Sequence, residues 1–284
     1  MMRHAVLKLV AFSLVLALPV AADQPAQRIV SLGGSVTEIV VALGAGDRLI
    51  ARDSTSSYPA SILALPDVGY LRALSPEGVL SLGPDLIIAE ADAGPVEAVD
   101  VLRAAGVGFV TMPDDPTPDG VTSKIMAVAD ALDLPREGAA LAAKVKADLA
   151  AQMDLAGKVA APKRVLFILS AQGGRIMAGG DGSSAEGIIR LAGGVNAATG
   201  FDGFKQMTDE AVLAAAPDVI LMMDRAGDHA ALDAEIFALP SLATSPAATS
   251  GKVIRMDGLL LLGFGPRTAE AARTLHDVIY AVEE

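Results

Sequence analysis

Apolar residues follow two rhythms along this chain. Arg28-Ile29-Val30-Ser31-Leu32 is a short β-branched run closed by Gly33-Gly34. After it Ile39, Val40 and Leu43 recur at helical spacing, from a start at Ser35 or Thr37 to a stop at Gly44. The alternation repeats, with residues 85–89 reading as a buried strand, 96–105 as a helix and 107–111 as another strand. Strands separated by helices predict mostly parallel sheet covered on both faces.

The middle of the chain breaks this rhythm. A Pro/Asp-rich stretch at 113–118 is followed by two helical stretches, 120–132 and 136–158, with no strand between them. In the second, Leu141, Val145, Leu149 and Met153 recur every four residues and predict one apolar stripe. At 1.5 Å per residue this helix would reach about 34 Å, enough to cross between two lobes and to limit their hinge motion. Alternation resumes with a strand at 164–169 and runs to a final helix at 266–282. The expected fold class is therefore α/β, with two similar lobes of mostly parallel sheet joined by a long interlobe helix. The predicted units are 27–118 for the N-terminal lobe, 119–158 for the connecting helices and 159–284 for the C-terminal lobe.

The lobes echo one another in sequence. Residues 75–88 align with 208–221 at a constant offset of 133, with identities at Glu77/Glu210, Leu80/Leu213, Pro84/Pro217 and Asp85/Asp218. Each copy opens on a hydroxyl residue suited to cap a helix and carries a Glu in the first turn, where the helix dipole favours negative charge. The repetition points to a duplicated lobe.

The first 22 residues are set apart from the fold. Arg3 and Lys8 flank a basic start, residues 9–18 are apolar, and Pro19-Val20-Ala21-Ala22 supplies a breaker and small residues before Asp23. That order predicts a secretory signal peptide (residues 1–22) cleaved after Ala22, and hence an exported chain, which the resemblance given below makes periplasmic. The apolar run is shorter than the ~20 residues a membrane span requires. The chain carries 34 acidic against 22 basic residues, and loss of Arg3 and Lys8 takes the formal charge from −12 to −14. With no run of Lys and Arg, this balance argues against nucleic-acid partners and against binding to an anionic membrane surface. The chain contains no Cys, which excludes disulfides, thiolate metal sites, Cys nucleophiles and a lipidated cysteine. Gly33-Gly34-Ser35 lacks the dinucleotide-binding glycine spacing, and no P-loop, nucleophile elbow or metal-spaced His pair occurs. An exported α/β enzyme therefore has no residues to carry its chemistry, and a binding protein is the favoured class.

Two segments carry a resemblance. Arg52-Asp53-Ser54-Thr55-Ser56-Ser57-Tyr58-Pro59, continuing to Val68-Gly69-Tyr70-Leu71-Arg72-Ala73-Leu74-Ser75-Pro76-Glu77-Gly78, is one, and Asp257-Gly258-Leu259-Leu260-Leu261-Leu262-Gly263-Phe264-Gly265-Pro266-Arg267 is the other. They resemble the periplasmic substrate-binding proteins of bacterial metal-chelate ABC importers, and within that family the haem-binding members. The resemblance implies a ligand in the cleft between the lobes, haem as a transported cargo and not a catalytic cofactor, and delivery by a monomer to an inner-membrane ABC permease with its ATPase. Cobalamin or a ferric siderophore is the alternative cargo.

Under this resemblance Tyr70 is the candidate iron ligand. A phenolate is a hard anionic donor suited to ferric iron, and Tyr is an established axial haem ligand. Arg72, two residues on in a loop taken as extended, faces the same way and would stabilise the phenolate or reach a propionate. The competing reading is an ordinary loop tyrosine. The loop after the first C-lobe strand offers Gln172 and Met177 near the distal face but no His. His276 belongs to the last helix, and His229 lies on a loop beyond Asp224. Arg72, Arg225 and Arg267 are candidate propionate partners, with Arg267 telling because a cation in a first helical turn calls for an anion. Phe264 and the neighbouring leucines are candidates for apolar contact with the porphyrin, although a Leu run also reads as a buried strand. The resemblance further implies that Glu77 and Glu210 dock on permease arginines; their alternative role is helix-dipole stabilisation alone.

Overall fold

The structure is a computed structural model and describes residues 25–224 and 233–281. The proposed signal peptide and cleavage site, Arg225 and His229 lie outside the described residues. No helix among the described residues is long and apolar enough to cross a membrane.

The first lobe comprises β1 (Ile29–Leu32), α1 (Gly34–Ala42), β2 (Leu49–Arg52), α2 (Pro76–Leu80), β3 (Leu86–Glu90), α3 (Val96–Ala104) and β4 (Gly108–Met112). Its four strands are all parallel, in the order β2-β1-β3-β4. Then come α4 (Pro118–Ala131) and α5 (Pro135–Ala156), which pack on each other as a helical hairpin. The second lobe contains β5 (Arg164–Ser170), β6 (Met177–Gly179), α6 (Ser184–Leu191), β7 (Val195–Asn196), β8 (Phe204–Gln206), α7 (Asp209–Ala215), β9 (Val219–Asp224), α8 (Asp233–Phe237), α9 (Pro246–Ser250), β10 (Val253–Asp257), α10 (Gly258–Leu262) and α11 (Thr268–Ile279).

The second sheet is mostly parallel, as expected, but carries an antiparallel strand. Its order is β10-β9-β5-β6-β8 with β7 also on β5, and β6 runs antiparallel to both β5 and β8. The physical reason is the short turn at 171–176: a few residues allow only a reversal beside β5, whereas a parallel neighbour needs a crossover of a dozen or more.

The repeated segment has a structural explanation. Ser75 accepts from the Gly78 N–H and Thr208 from the Ala211 N–H, so each hydroxyl caps its helix. Asp85 accepts from the backbone N–H groups of Gln27 and Arg28, and Asp218 from that of Arg164. Each Asp thus pins the start of the neighbouring strand. Arg28 and Arg164 in turn donate through Nε to Gly83 O, in the turn after α2, and to Ala215 O, the last residue of α7.

The stripe on α5 holds at Val145 and Leu149 but not at Met153, which is half-exposed; Gln152 is buried instead and donates to Leu191 O at 3.0 Å. At about 100° per residue, four-residue steps drift by about 40° each, and only a three-residue step returns to the buried face. The central apolar cluster is continuous between the lobes. Ile39, Ile125 and Val145 share it with Phe167, Ile188 and Leu275.

Candidate interlobe binding site

The carboxyl ends of parallel strands are where open α/β sheets place their ligands. In the first lobe this edge carries Gly33, Asp53 and Glu90. Gly33 turns the chain from β1 into α1 at φ 120°, a conformation that side-chain-bearing residues avoid. Asp53 is fully buried and accepts from Gly33 N–H, Thr55 N–H, Thr55 Oγ1 and Ser56 Oγ at 2.7–3.0 Å, which fixes the loop after β2. That loop runs on past an Arg52–Asp67 ion pair to Gly69, whose carbonyl accepts from Ser54 N–H.

Residues 70–73 then form a turn in which Ala73 N–H donates to Tyr70 O at 2.8 Å, rather than the extended loop expected. Leu71 and Leu74 are buried in the lobe, so Tyr70 and Arg72 are left on the outer side, with Tyr70 44% exposed. The Arg72 Nη1 donates to the Tyr70 hydroxyl at 2.5 Å, and its guanidinium lies 5.5 Å from the ring centroid. Arg72 also pairs with Asp92, beyond the end of β3. Burial of this guanidinium opposes its charge, yet the bond to Tyr70 and the Asp92 carboxylate outweigh that and hold its pKa above the ordinary value.

The second lobe meets this edge through residues 257–267. Asp257 caps α10 by accepting from Leu260 N–H at 2.8 Å. The leucines are thus helical and not a strand, and Leu261 alone of the four is buried. Runs of this length do not distinguish the two conformations by periodicity. The Leu259 side chain reaches Gly34, where an added Cβ would lie 2.5 Å from it and 2.8 Å from Thr55 O.

Phe264 corrects the expectation of porphyrin contact. It is 3% exposed, belongs to the central cluster and sits over Gly187 of α6, where a Cβ would lie 2.8 Å from its ring. Its ring is spent on holding α6 and the 258–267 segment together. Arg267 does meet an anion, but the anion is the Glu38 carboxylate of α1, taken bidentately from Nε at 3.0 Å and Nη2 at 2.8 Å. Its guanidinium also lies 3.5 Å from the centroid of the exposed Tyr58 ring. Burial again opposes the charge, and Glu38 prevails, raising the Arg267 pKa.

A second polar contact joins the lobes. Lys124 of α4, only 1% exposed, donates to Ser35 Oγ at 3.2 Å and Gly263 O at 3.4 Å and lies 3.7 Å from the Asp114 carboxylate. Glu90 accepts from Ser35 N–H at 3.2 Å and Ser35 Oγ at 2.6 Å. Burial pushes the Glu90 carboxyl up, against the opposing pull of Lys124 and Ser35.

The remaining candidates occupy separate places. Gln172 is exposed on the turn between β5 and β6, and Met177 is half-buried at the start of β6, so both lie by the carboxyl end of β5. His276 bonds to Ala192 O through Nδ1 at 2.9 Å and packs at a tilt against the Tyr280 ring, a packing role. Glu77 and Glu210 are exposed in the first turns of α2 and α7, and local hydrogen bonds from its own backbone and from Thr208 hold the Glu210 carboxyl below its ordinary value. Glu38, Lys124, Asp92, Tyr58 and Glu90 were not among the sequence candidates. For Glu38 and Lys124 a signal existed: each is a lone charge within an apolar helical stretch, Val36–Val40 and Val121–Val128.

A family model described as periplasmic binding protein matches residues 29–259. Among solved structures, the chain is similar to the periplasmic heme-binding protein BhuT in complex with two hemes, at 40% identity and a TM-score of 0.84 over 89% of this chain and 97% of that one. It is also similar to the periplasmic heme-binding protein RhuT from Roseiflexus sp. RS-1 in apo form, at 40% identity and a TM-score of 0.85 over 90% and 98%. An uncharacterized ABC transporter substrate-binding lipoprotein of Bacillus subtilis (strain 168), YvrC, is 27% identical over 89% of this chain and 80% of its own. The vitamin B12-binding protein of Yersinia pestis (strain Pestoides F) is 39% identical over 84 residues, 30% of each chain.

Proposed function

The chain belongs to the periplasmic binding protein family, and from that premise we propose that it captures ferric haem in the cleft between its lobes and delivers it to an inner-membrane ABC permease with its ATPase. The observation that carries this reading is the half-exposed Tyr70 with a guanidinium on its oxygen, at the carboxyl edge of the first sheet. A phenolate is a hard anionic donor suited to ferric iron, and Arg72 donates to the same oxygen. Tyr70 is then the axial ligand, and Arg72 lowers the cost of its charge.

Arg72 and Arg225 are the remaining propionate partners, and Arg267 contributes where Glu38 leaves room: with Nε and Nη2 taken, a propionate would meet Nη1. Gln172 and Met177 line the opposite wall, Leu259 and Leu260 supply apolar contact in place of the buried Phe264, and Glu77 and Glu210 meet the permease. The units 27–118, 119–158 and 159–284 act as lobe, connector and lobe. Haem passes through unchanged, so no catalytic step is involved, and export depends on the signal peptide ending at Ala22.

Cobalamin is the second reading, favoured by the similarity to a vitamin B12-binding protein. Haem stands first because the similarity to solved haem-binding proteins runs over 89–90% of the chain at 40% identity. Titration of the purified protein with ferric haem and with cobalamin, followed by absorbance, separates the two. Haem is expected to give a saturable Soret change that cobalamin does not displace; a saturable response to cobalamin alone would overturn the proposal.

A further inference from the structure

We infer that Asp92 is a positioning residue for the Tyr70 ligand, acting through Arg72; the inference rests on the haem reading above. Arg72 is about half-exposed, and a long side chain at such a site ordinarily samples many rotamers. Here it is held at two points. Nη2 is paired with the Asp92 carboxylate and Nη1 donates to the Tyr70 oxygen. Because a guanidinium is planar, with its donors in a fixed fork, anchoring one terminal nitrogen sets the direction of the other.

The backbone brings Asp92, twenty residues on from Arg72, up to the Tyr70–Arg72 pair. Gly94 N–H donates to Leu71 O, and Leu74 N–H donates to Gly94 O, both at 2.8 Å. The 70–74 turn and the loop after β3 are thereby zipped, and Asp92 is delivered to Nη2 of Arg72 while Nη1 is on Tyr70. With Leu71 and Leu74 buried beneath, the turn has no freedom to withdraw Arg72. Asp92 is thus the fixed end of a relay in which the guanidinium is aimed at the phenol oxygen before any ligand arrives.

The test is a cycle of D92A, R72A and the double variant, read by ferric haem affinity and by the resonance Raman bands of a phenolate–iron bond. Loss of a partner that orients a metal ligand costs on the order of tenfold or more in affinity. D92A is expected to weaken haem binding about tenfold and to shift the phenolate bands in the same direction as R72A. Added to R72A, it is expected to change neither quantity. An equal effect of D92A in both backgrounds would show that Asp92 acts on the loop and not through Arg72, and no effect in the wild-type background would also overturn the inference. Should D92A fail to fold, D92N keeps the side-chain shape, and the same cycle is read with it. Y70F run alongside keeps the two readings apart: unchanged bands and affinity in Y70F remove Tyr70 as the ligand, whereas altered bands in Y70F with unaltered D92A defeat the Asp92 inference alone.

Discussion

Removing Glu38 is expected to destabilise the whole molecule, because its partner sits on the other lobe. Glu38 and Arg267 have side-chain exposures of 6% and 19%, and their two hydrogen bonds join α1 to the start of α11. Truncating one member of a buried, bidentate pair leaves the other charge desolvated and typically costs about 3–5 kcal/mol. The residual exposure of Arg267, and the Tyr58 ring against its guanidinium, place E38A near the lower end, about 3 kcal/mol. For a chain of this size that corresponds to a fall in Tm of about 6–12 °C, measurable by circular dichroism and by the urea midpoint. Replacing both members with apolar side chains, E38L with R267M, is expected to recover most of the loss, because an uncompensated charge no longer remains. A loss below about 1 kcal/mol in E38A, or strictly additive effects of the two substitutions, would refute the claim that this pair couples the lobes.

Three further outcomes follow from the same geometry. Glu90 has its carboxyl pKa raised by burial from the ordinary 4.5, so its unfolded form ionises first as pH rises and the native state loses stability through that window. The Tm advantage of E90Q over wild type is therefore expected to grow as pH rises through the carboxylate range and then to level off; a difference independent of pH would contradict the assignment. G187A places a Cβ 2.5 Å from Pro116 O and 2.8 Å from the Phe264 ring, and is expected to cost about 1–3 kcal/mol in urea unfolding, with an unchanged midpoint as the refuting result. E77A with E210A is expected to leave haem affinity intact and to impair uptake in a reconstituted transporter, whereas normal uptake would return both carboxylates to helix starts alone.

What could be read from the sequence was what local chemistry repeats or what a strong period marks. The two copies of the helix–strand motif were visible because Asp85 and Asp218 each pin a neighbouring strand, a demand met only by a short carboxylate at that spot. The α/β alternation of the first lobe was visible because β1 and β3 are buried on both faces and read as largely apolar runs, broken only by Ser31 and the terminal Glu90. Strands of two or three residues such as β7 and β8 leave no period to detect. The helix at 258–262 was hidden for the same reason, its Leu run being compatible with either conformation until Asp257 is recognised as a cap.

Partners far apart in sequence were the other blind spot. Arg267 announced that it needs an anion, but nothing local says that the anion is Glu38, 229 residues away. Asp92 likewise meets Arg72 only because two loops are zipped at Gly94. Phe264 misled because aromatic residues beside glycines suit a ligand wall as well as a helix contact, and only the proximity of Gly187 decides between them.

The central claim is that the Tyr70 oxygen binds the iron of a ferric haem. Its most direct test is the resonance Raman spectrum of the haem complex of wild type and Y70F, excited within the phenolate-to-iron charge-transfer band. Phenolate vibrations are expected in the wild-type complex and are expected to vanish in Y70F, together with a loss of haem affinity. Identical spectra and equal affinity in the two proteins would contradict it.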